Sequence, residues 1–381
     1  CGFKGDWGIV QFGGTFDFNI ANGGLLSIIN TTFKNCYSNK GGAFLLSVSN
    51  GGKATLTNTK FLGCYSNRGG AIYVELDLDS ELILQNQCQF SDCYSDRQNG
   101  GGIEAYMPKG GKVTLSGAIF RNCSAINGGA ISVYSVQNCI LTIGNGCSFD
   151  NCKASNKGGG LYVDLNFNAS VQFNIRDAQI GYCSASFLGG GIFLAGDGDY
   201  NPSSNGLDFR GLKINYNNTA TYGGKTLFVV MSKLKEWCQY GNNGQFVKGN
   251  YSDSTSNETD LQGIPINTTQ FNKLNLSQII QKQVYLEQYW NKVEDKVDDQ
   301  DKEQDKEQEQ DQYSDDDDQY YDGDIVALKV VVLAQQIAVL ITIQDVLIVP
   351  KIEDWLKQFH IHKHIQIFQV WINITMNAFL A

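Results

Sequence analysis

The sequence predicts an all-β chain dominated by a right-handed parallel β-helix, with three strands per coil and about seven coils, followed by a partly helical, partly disordered C-terminal extension. Three observations predict it. A degenerate repeat of about 29 residues carries F-x-x-C and then G-G-A-I; the apolar runs inside it are short and alternate with period 2; and the 381 residues include 42 Gly but only 4 Pro. Fixed-period self-similarity marks stacked units that cannot bury an apolar face alone. A helical repeat of similar period would need longer runs at 3.6 periodicity, and a leucine-rich repeat would need L-x-x-L-x-L with a recurring Asn; neither pattern is present.

The repeat sits in register on an aromatic three residues before a cysteine. Phe33/Cys36, Phe61/Cys64, Phe90/Cys93, Phe120/Cys123 and Phe149/Cys152 are followed by Ile180/Cys183 and a decayed copy at Ile214/Asn217. Each copy runs on into paired glycines, as at Gly41, Gly69, Gly100, Gly128, Gly158 and Gly189. The first run after the glycines has inward columns Phe44, Ile72, Ile103, Ile131, Leu161, Ile192 and Leu46, Val74, Ala105, Val133, Val163, Leu194. The second run gives Leu26, Ala54, Leu82, Val113, Leu141, Val171 and Ile28, Leu56, Leu84, Leu115, Ile143, Phe173; the third holds the Phe and Cys columns. Alternation would place residues three apart on opposite faces, so two apolar columns at that spacing require a bend between Phe and Cys. The paired glycines mark the next corner, one taking a positive φ and the other admitting the backbone of a neighbouring coil.

The alternation of G-G-A-[ILV] with F-x-x-[NC] resembles the repeat of chlamydial polymorphic outer-membrane proteins and of related pectin-lyase-like β-helix proteins predicted at protist surfaces. The resemblance covers residues 11–230, with Cys where Asn is usual. It implies a parallel β-helix displayed at a cell surface, with an adhesive or structural role.

The cysteines form the most regular column. Coils stacked about 4.8 Å apart bring them within disulfide reach, yet side-by-side Cβ vectors fit the required dihedral poorly, so a reduced core ladder is the favoured reading and disulfides the alternative. Cys88 and Cys147 lie beside this column and are further pairing candidates. No C-x-x-C spacing occurs and no His lies near a Cys in sequence, so no metal site and no cofactor is expected.

Function must then reside on outward positions. Those of the first strand read Leu45/Ser47, Tyr73/Glu75, Glu104/Tyr106, Ser132/Tyr134, Tyr162/Asp164 and Phe193/Ala195; the binding-face candidates among them are Tyr73, Glu75, Glu104, Tyr106, Tyr134, Tyr162 and Asp164, aromatic rings beside carboxylates that would suit a glycan or a surface protein. The plainer reading is that Tyr is simply a good residue for a half-exposed strand. Glu75 and Glu104 are weak candidates for a catalytic pair, the basis of an alternative reading as a polysaccharide hydrolase or lyase. The repeats contain no His; His360, His362 and His364 alternate near the C-terminus. Asp197-Gly-Asp199 has part of a Ca²⁺ loop, with a plain turn as the simpler reading.

Beyond the β-helix (residues 1–235), residues 236–293 read as a cap and loop, with an amphipathic helix over 276–293 placing Ile279, Leu286, Trp290 and Val293 on one stripe. Residues 294–324 carry 16 Asp and Glu against 3 Lys, a net of −13, and read as a disordered acidic linker. The rest of the chain, with 23 acids and 26 Lys and Arg, is near neutral and has no nucleic-acid footprint. Residues 325–381 form an apolar tail, of which 325–349 is a candidate membrane segment impaired by Lys329 and Asp345. Sequons cluster at Asn250, Asn257, Asn267 and Asn275, favouring a glycosylated, extracellular location. The start at Cys1 and the composition change near 293 also admit a fragment or decayed gene product.

Overall fold

The structure, a computed structural model, describes residues 2–5, 9–11, 16–242, 244–251 and 254–290. The chain divides into two compact units, Cys1–Val297 and Asp298–Ala381. The acidic stretch 294–324, the apolar segment 325–349 and the three histidines lie outside the described residues. Among the described residues no helix is long and apolar enough to cross a membrane.

The first unit is a parallel β-solenoid of about eight turns. Strands N-terminal to the first readable motif, Gly2–Gly5, Ile9–Gln11 and Phe16–Ile20, add a turn to the seven expected. Each coil contributes to four sheets rather than three. The front sheet holds the run after the glycines, such as Ile103–Met107, Ile131–Ser135 and Leu161–Asn166. The second run forms another sheet. The third run is broken into two short ladders, one through Phe120 (Ile119–Arg121) and one after Cys123 (Ser124–Asn127).

That break is the inferred bend, and its cause is a left-handed residue immediately before each cysteine. Asn35, Gly63, Asp92, Asn122, Asn151 and Tyr182 all have φ between 51° and 60°. Asn, Asp and Gly enter this region at least cost, so [NGD]-C is a corner signal as well as a core signal. The turn swings Cys back inside, and all six cysteines of the column are buried as thiols. Each thiol from Cys64 onward donates to the carbonyl of the phenylalanine, or its equivalent, in the coil before: Cys93 Sγ to Phe61 at 3.4 Å, Cys123 Sγ to Phe90 at 3.5 Å. Burial pushes the thiols of Cys93, Cys123, Cys152 and Cys183 well above the ordinary range. Cys88 and Cys147 bond to backbone carbonyls instead of to sulfur.

The core is built from ladders of like on like. Phe33, Phe61, Phe90, Phe120 and Phe149 stack with centroids 4.5–5.3 Å apart. Both inward columns of the front sheet are buried as their alternation requires. In the second sheet the sixth coil slips by two residues: Leu141 faces Phe173 and Cys139 faces Val171. Motif spacing alone sets Leu141 and Ile143 opposite Val171 and Phe173; the slip of two keeps every side chain on its own face, because the strand period is two. The decayed copy also shifts: Asn218, not Asn217, continues the cysteine column, and its Oδ1 accepts the Cys183 N–H at 3.0 Å.

Paired glycines behave as two different constraints. Gly128 has φ 63°, and a Cβ on Gly129 would overlap the Gly159 carbonyl oxygen of the next coil.

The C-terminal end is closed by residues 234–290, which belong to the same compact unit. Leu234, Trp237, Leu261, Leu286 and Trp290 enter the solenoid core. The helix expected over 276–293 is only Leu276–Lys282. Val284–Tyr285 then pairs antiparallel with Leu261–Ile264, covering the last edge of the front sheet, and Leu286–Tyr289 is a 3-10 turn. An open sheet edge invites pairing, and this demand overrides the helical stripe. Ile279 therefore packs on the outer face while Leu286 and Trp290 enter the core.

Asn122→Gly should lose only the exposed side-chain bonds to Asp92 and Asn151, whereas Asn122→Val should lose roughly 1–2 kcal/mol more. Urea denaturation of both variants checks it; equal loss in both would show that the corner conformation is not the constraint.

Candidate functional site

The front sheet presents two outward columns. One runs Leu45, Tyr73, Glu104, Ser132, Tyr162, Phe193 and Phe228; the other runs Ser47, Glu75, Tyr106, Tyr134, Asp164, Ala195 and Val230. Toward the C-terminal end this face is not solvent-exposed. Short helices Thr268–Phe271 and Leu276–Lys282 fold back over it, burying Phe193, Ala195, Phe228 and Val230 with Phe271 and Ile279. The strap is pinned by Asp197, which accepts from the Thr269 N–H at 2.9 Å and hydroxyl at 3.1 Å, and by Asp164, which accepts from the Thr268 hydroxyl at 3.4 Å. Asp199 accepts from the Ser232 hydroxyl at 2.6 Å, so the Asp197–Asp199 turn is occupied by protein partners.

Where the strap ends, a depression of about 500 Å³ opens, lined by Arg68, Tyr73, Asn99, Glu104, Tyr106, Ser132, Tyr134, Tyr162 and Asp164. Six of the seven residues singled out from sequence meet here; Glu75 stays outside, exposed. Arg68 and Asn99 are additions that the sequence pattern does not single out; Ser132 is an outward position of the first strand that joins the candidates here. Arg68 and Asn99 come from the corner before the paired glycines, where Arg68 pairs with Lys40 and Asn127 with both Asn99 and Lys157. A basic or amide residue just before Gly-Gly is the available signal.

Glu104 is buried and held by Arg68, whose Nη2 and Nε donate to it at 2.5 and 3.1 Å. Burial raises the Glu104 carboxyl, and the Arg68 guanidinium offsets part of that rise. Register sets Glu104 opposite Tyr73 and Glu75 opposite Tyr106, so the two acids lie on a diagonal. Arg68 engages both carboxylate oxygens, its Nε reaching Oε1 and Oε2 at 3.1 and 3.3 Å.

The aromatic rings are largely stacked on protein. Arg68 lies 4.9 Å and Lys40 5.1 Å from the Tyr73 ring. Tyr106 and Tyr134 stack at 5.7 Å, and Tyr134 is exposed. Tyr162 stacks on Phe193 at 5.4 Å, almost parallel. Lys157 is enclosed by Phe271 at 4.7 Å and Phe193 at 5.0 Å, and burial lowers its ammonium despite Asp164 nearby.

Of the sequon asparagines, Asn257, Asn267 and Asn275 are helix N-caps, each accepting a backbone N–H through its side chain and closing a capping box. Asn250 lies in the short strand Asn250–Tyr251 and is exposed, as are Asn257 and Asn275. Comparison with protein families, characterised proteins and solved structures finds no match, so the reading of the site rests on this geometry.

Burial and the neighbouring Asp197 raise the Asp164 carboxyl from 3.8 to about 6. A raised carboxyl binds its proton more readily in the folded chain, so stability falls as pH rises between those two values and stays lowered above them. The melting temperature should therefore drop between pH 4 and pH 6, and Asp164→Asn should flatten that segment and raise the melting temperature at pH 7. Thermal scans across pH check it; an unchanged slope in the variant would remove Asp164 as the cause.

Proposed function

We propose that this protein is a non-catalytic, surface-displayed β-solenoid whose front face binds a carbohydrate. The observation that carries the reading is the depression beside the strap, where tyrosine hydroxyls, Ser132, Asn99 and two carboxylates converge on one half-open concavity of about 500 Å³. Ligand sites combine concavity with a few convergent polar groups on a rigid frame. Carbohydrates present many hydroxyls of both donor and acceptor type, and this lining supplies both: carboxylates that accept, an Asn amide and phenols that donate. A protein ligand is the second partner class such a Tyr-rich face fits.

Surface display is supported by the repeat resemblance, by the exposed sequons Asn250, Asn257 and Asn275, and by the apolar stretch 325–349. The solenoid would then present its binding face on a rigid frame.

A glycan array with the purified chain is expected to give a defined set of hits. Tyr134→Ala should weaken them by roughly tenfold or more, since one lost polar and packing contact is on the order of 1–2 kcal/mol. Tyr94→Ala, an exposed tyrosine on a different sheet, serves as the control and should leave the hits unchanged. An array without hits, or equal loss in both variants, would overturn the reading.

A further inference from the structure

The strap side of the depression holds a carboxylate that the chain leaves without a counter-ion. The lining has two acids, Glu104 and Asp164, and one cation, Arg68. Arg68 is paired with Glu104, so those two charges cancel. Asp164 makes no ion pair among the described residues, and its side-chain hydrogen bonds come from two neutral hydroxyls, Thr268 at 3.4 Å and Tyr162. Lys157 stands nearby, but its ammonium lies against the rings of Phe271 and Phe193 beneath the strap. Asp197 adds a second negative charge on the same side, with its oxygens on the Thr269 N–H and hydroxyl. Two carboxylates therefore face one ammonium here, an excess of one negative charge. Burial and Asp197 together hold the Asp164 carboxyl at about 6, the mark of an acid with no cation against it.

An aromatic ring stands beside that carboxylate. Tyr134 is in register with Tyr106 in the coil before and with Asp164 in the coil after. Tyr106 covers one face of the Tyr134 ring at 5.7 Å. The other face is turned toward the coil of Asp164, and among the described residues no ring or cation lies over it. Tyr134 is exposed and Asp164 half-buried, and both line the depression, so ring and carboxylate meet at its open mouth. A cation within about 6 Å of a ring centroid is drawn to its face, and coils about 4.8 Å apart bring the carboxylate within reach of the same cation. This chain already sets cations on rings twice along this sheet: Arg68 and Lys40 over Tyr73, and Lys157 against Phe193 and Phe271. At Tyr134 and Asp164 the ring and the acid are present and the cation has to come from a ligand.

We propose that Asp164 and Tyr134 form a subsite for the ammonium group of an amino sugar. The proposal rests on the carbohydrate reading and narrows it to glycans that carry a free amine. The ammonium donates to the Asp164 carboxylate and lies against the outer part of the Tyr134 ring. The sugar ring stays in the open mouth, above the buried Ser132 and Glu104, which act only as floor. Its hydroxyls face Asn99 across the depression; the Asn99 Oδ1 already accepts from Asn127 Nδ2 at 2.8 Å, so Asn99 offers its amide N–H groups. Discrimination follows from charge. N-acetylation removes the cation and leaves Asp164 uncompensated, while a uronate or a sulfate brings a second negative charge against it.

The test compares two glycans that differ only at the amine: a β-1,4-linked glucosamine tetramer and its fully N-acetylated counterpart, by isothermal titration at pH 7 and low salt. The free-amine tetramer should bind roughly tenfold tighter or more, and added salt should narrow the difference. Asp164→Asn keeps the shape of the side chain and should erase the preference. Asp79→Asn removes an exposed acid from a turn away from the depression and should leave the preference intact. Oligolysine of the same charge should bind at least about tenfold more weakly than the glucosamine tetramer, because it lacks the hydroxyls; equal binding would make the site one for amines at large and overturn the sugar subsite. A preference that survives Asp164→Asn also overturns it. If the two tetramers bind wild type alike and Tyr134→Ala weakens both, the ammonium subsite is wrong and the carbohydrate reading stands. Should Asp164→Asn fail to fold, the wild-type comparison of the two tetramers decides, and no preference for the amine overturns the subsite. An array without hits sinks the parent reading instead.

Discussion

Everything in this molecule depends on coils stacking about 4.8 Å apart with their corners in register. Each coil is bonded mainly to the coils before and after it, so a column must hold residues of nearly the same size, and a corner must repeat the same backbone. The Gly-Gly corner shows how strict this is: the second glycine of one coil lies against the carbonyl of the second glycine of the next, through Gly70, Gly101, Gly129, Gly159 and Gly190. The left-handed residue before each cysteine is the matching device at the opposite corner. Between these two corners the phenylalanine stack and the thiol-to-carbonyl bonds lock the same register from within. Each aromatic pair adds roughly 0.5–1.5 kcal/mol beyond its buried area, and repetition makes that term large.

Much of this architecture is legible in the amino-acid sequence. Phe33 through Phe149, Cys36 through Cys183 and the glycine pairs are all consequences of nearest-neighbour stacking, so they recur in sequence at the coil period. The need for a bend between Phe and Cys follows from parity alone. What parity does not reveal is that the bend is sharp enough to split one run into two ladders, giving four sheets; the asparagines, aspartate and glycine at that corner vary in identity and so escape a motif search. The slipped register at Phe173 escapes for a related reason, since a two-residue shift leaves the inward–outward pattern unaltered.

The outward face is half legible. Tyr73, Glu104, Tyr106, Tyr134, Tyr162 and Asp164 do converge, because strand alternation and coil stacking together fix who faces whom. Two things stay hidden in the sequence. The strap over Phe193 and Phe228 comes from residues 264–283, and its contact with Asp164 spans 104 positions, with no repeat to announce it. The strand pattern suggests rings that offer stacking faces to a sugar, yet in a ladder they also stack on one another. The same rule that makes the core efficient takes up ring faces at the surface, Tyr162 against Phe193 and Tyr106 against Tyr134.

The most direct measurement of this account is a crystal structure of the chain with the tightest oligosaccharide bound. The expected result is a sugar seated in the depression lined by Arg68, Asn99, Tyr134 and Asp164, with the strap unmoved. A glycan bound away from the depression, at the Tyr37–Tyr65–Tyr94 ladder for instance, would contradict it.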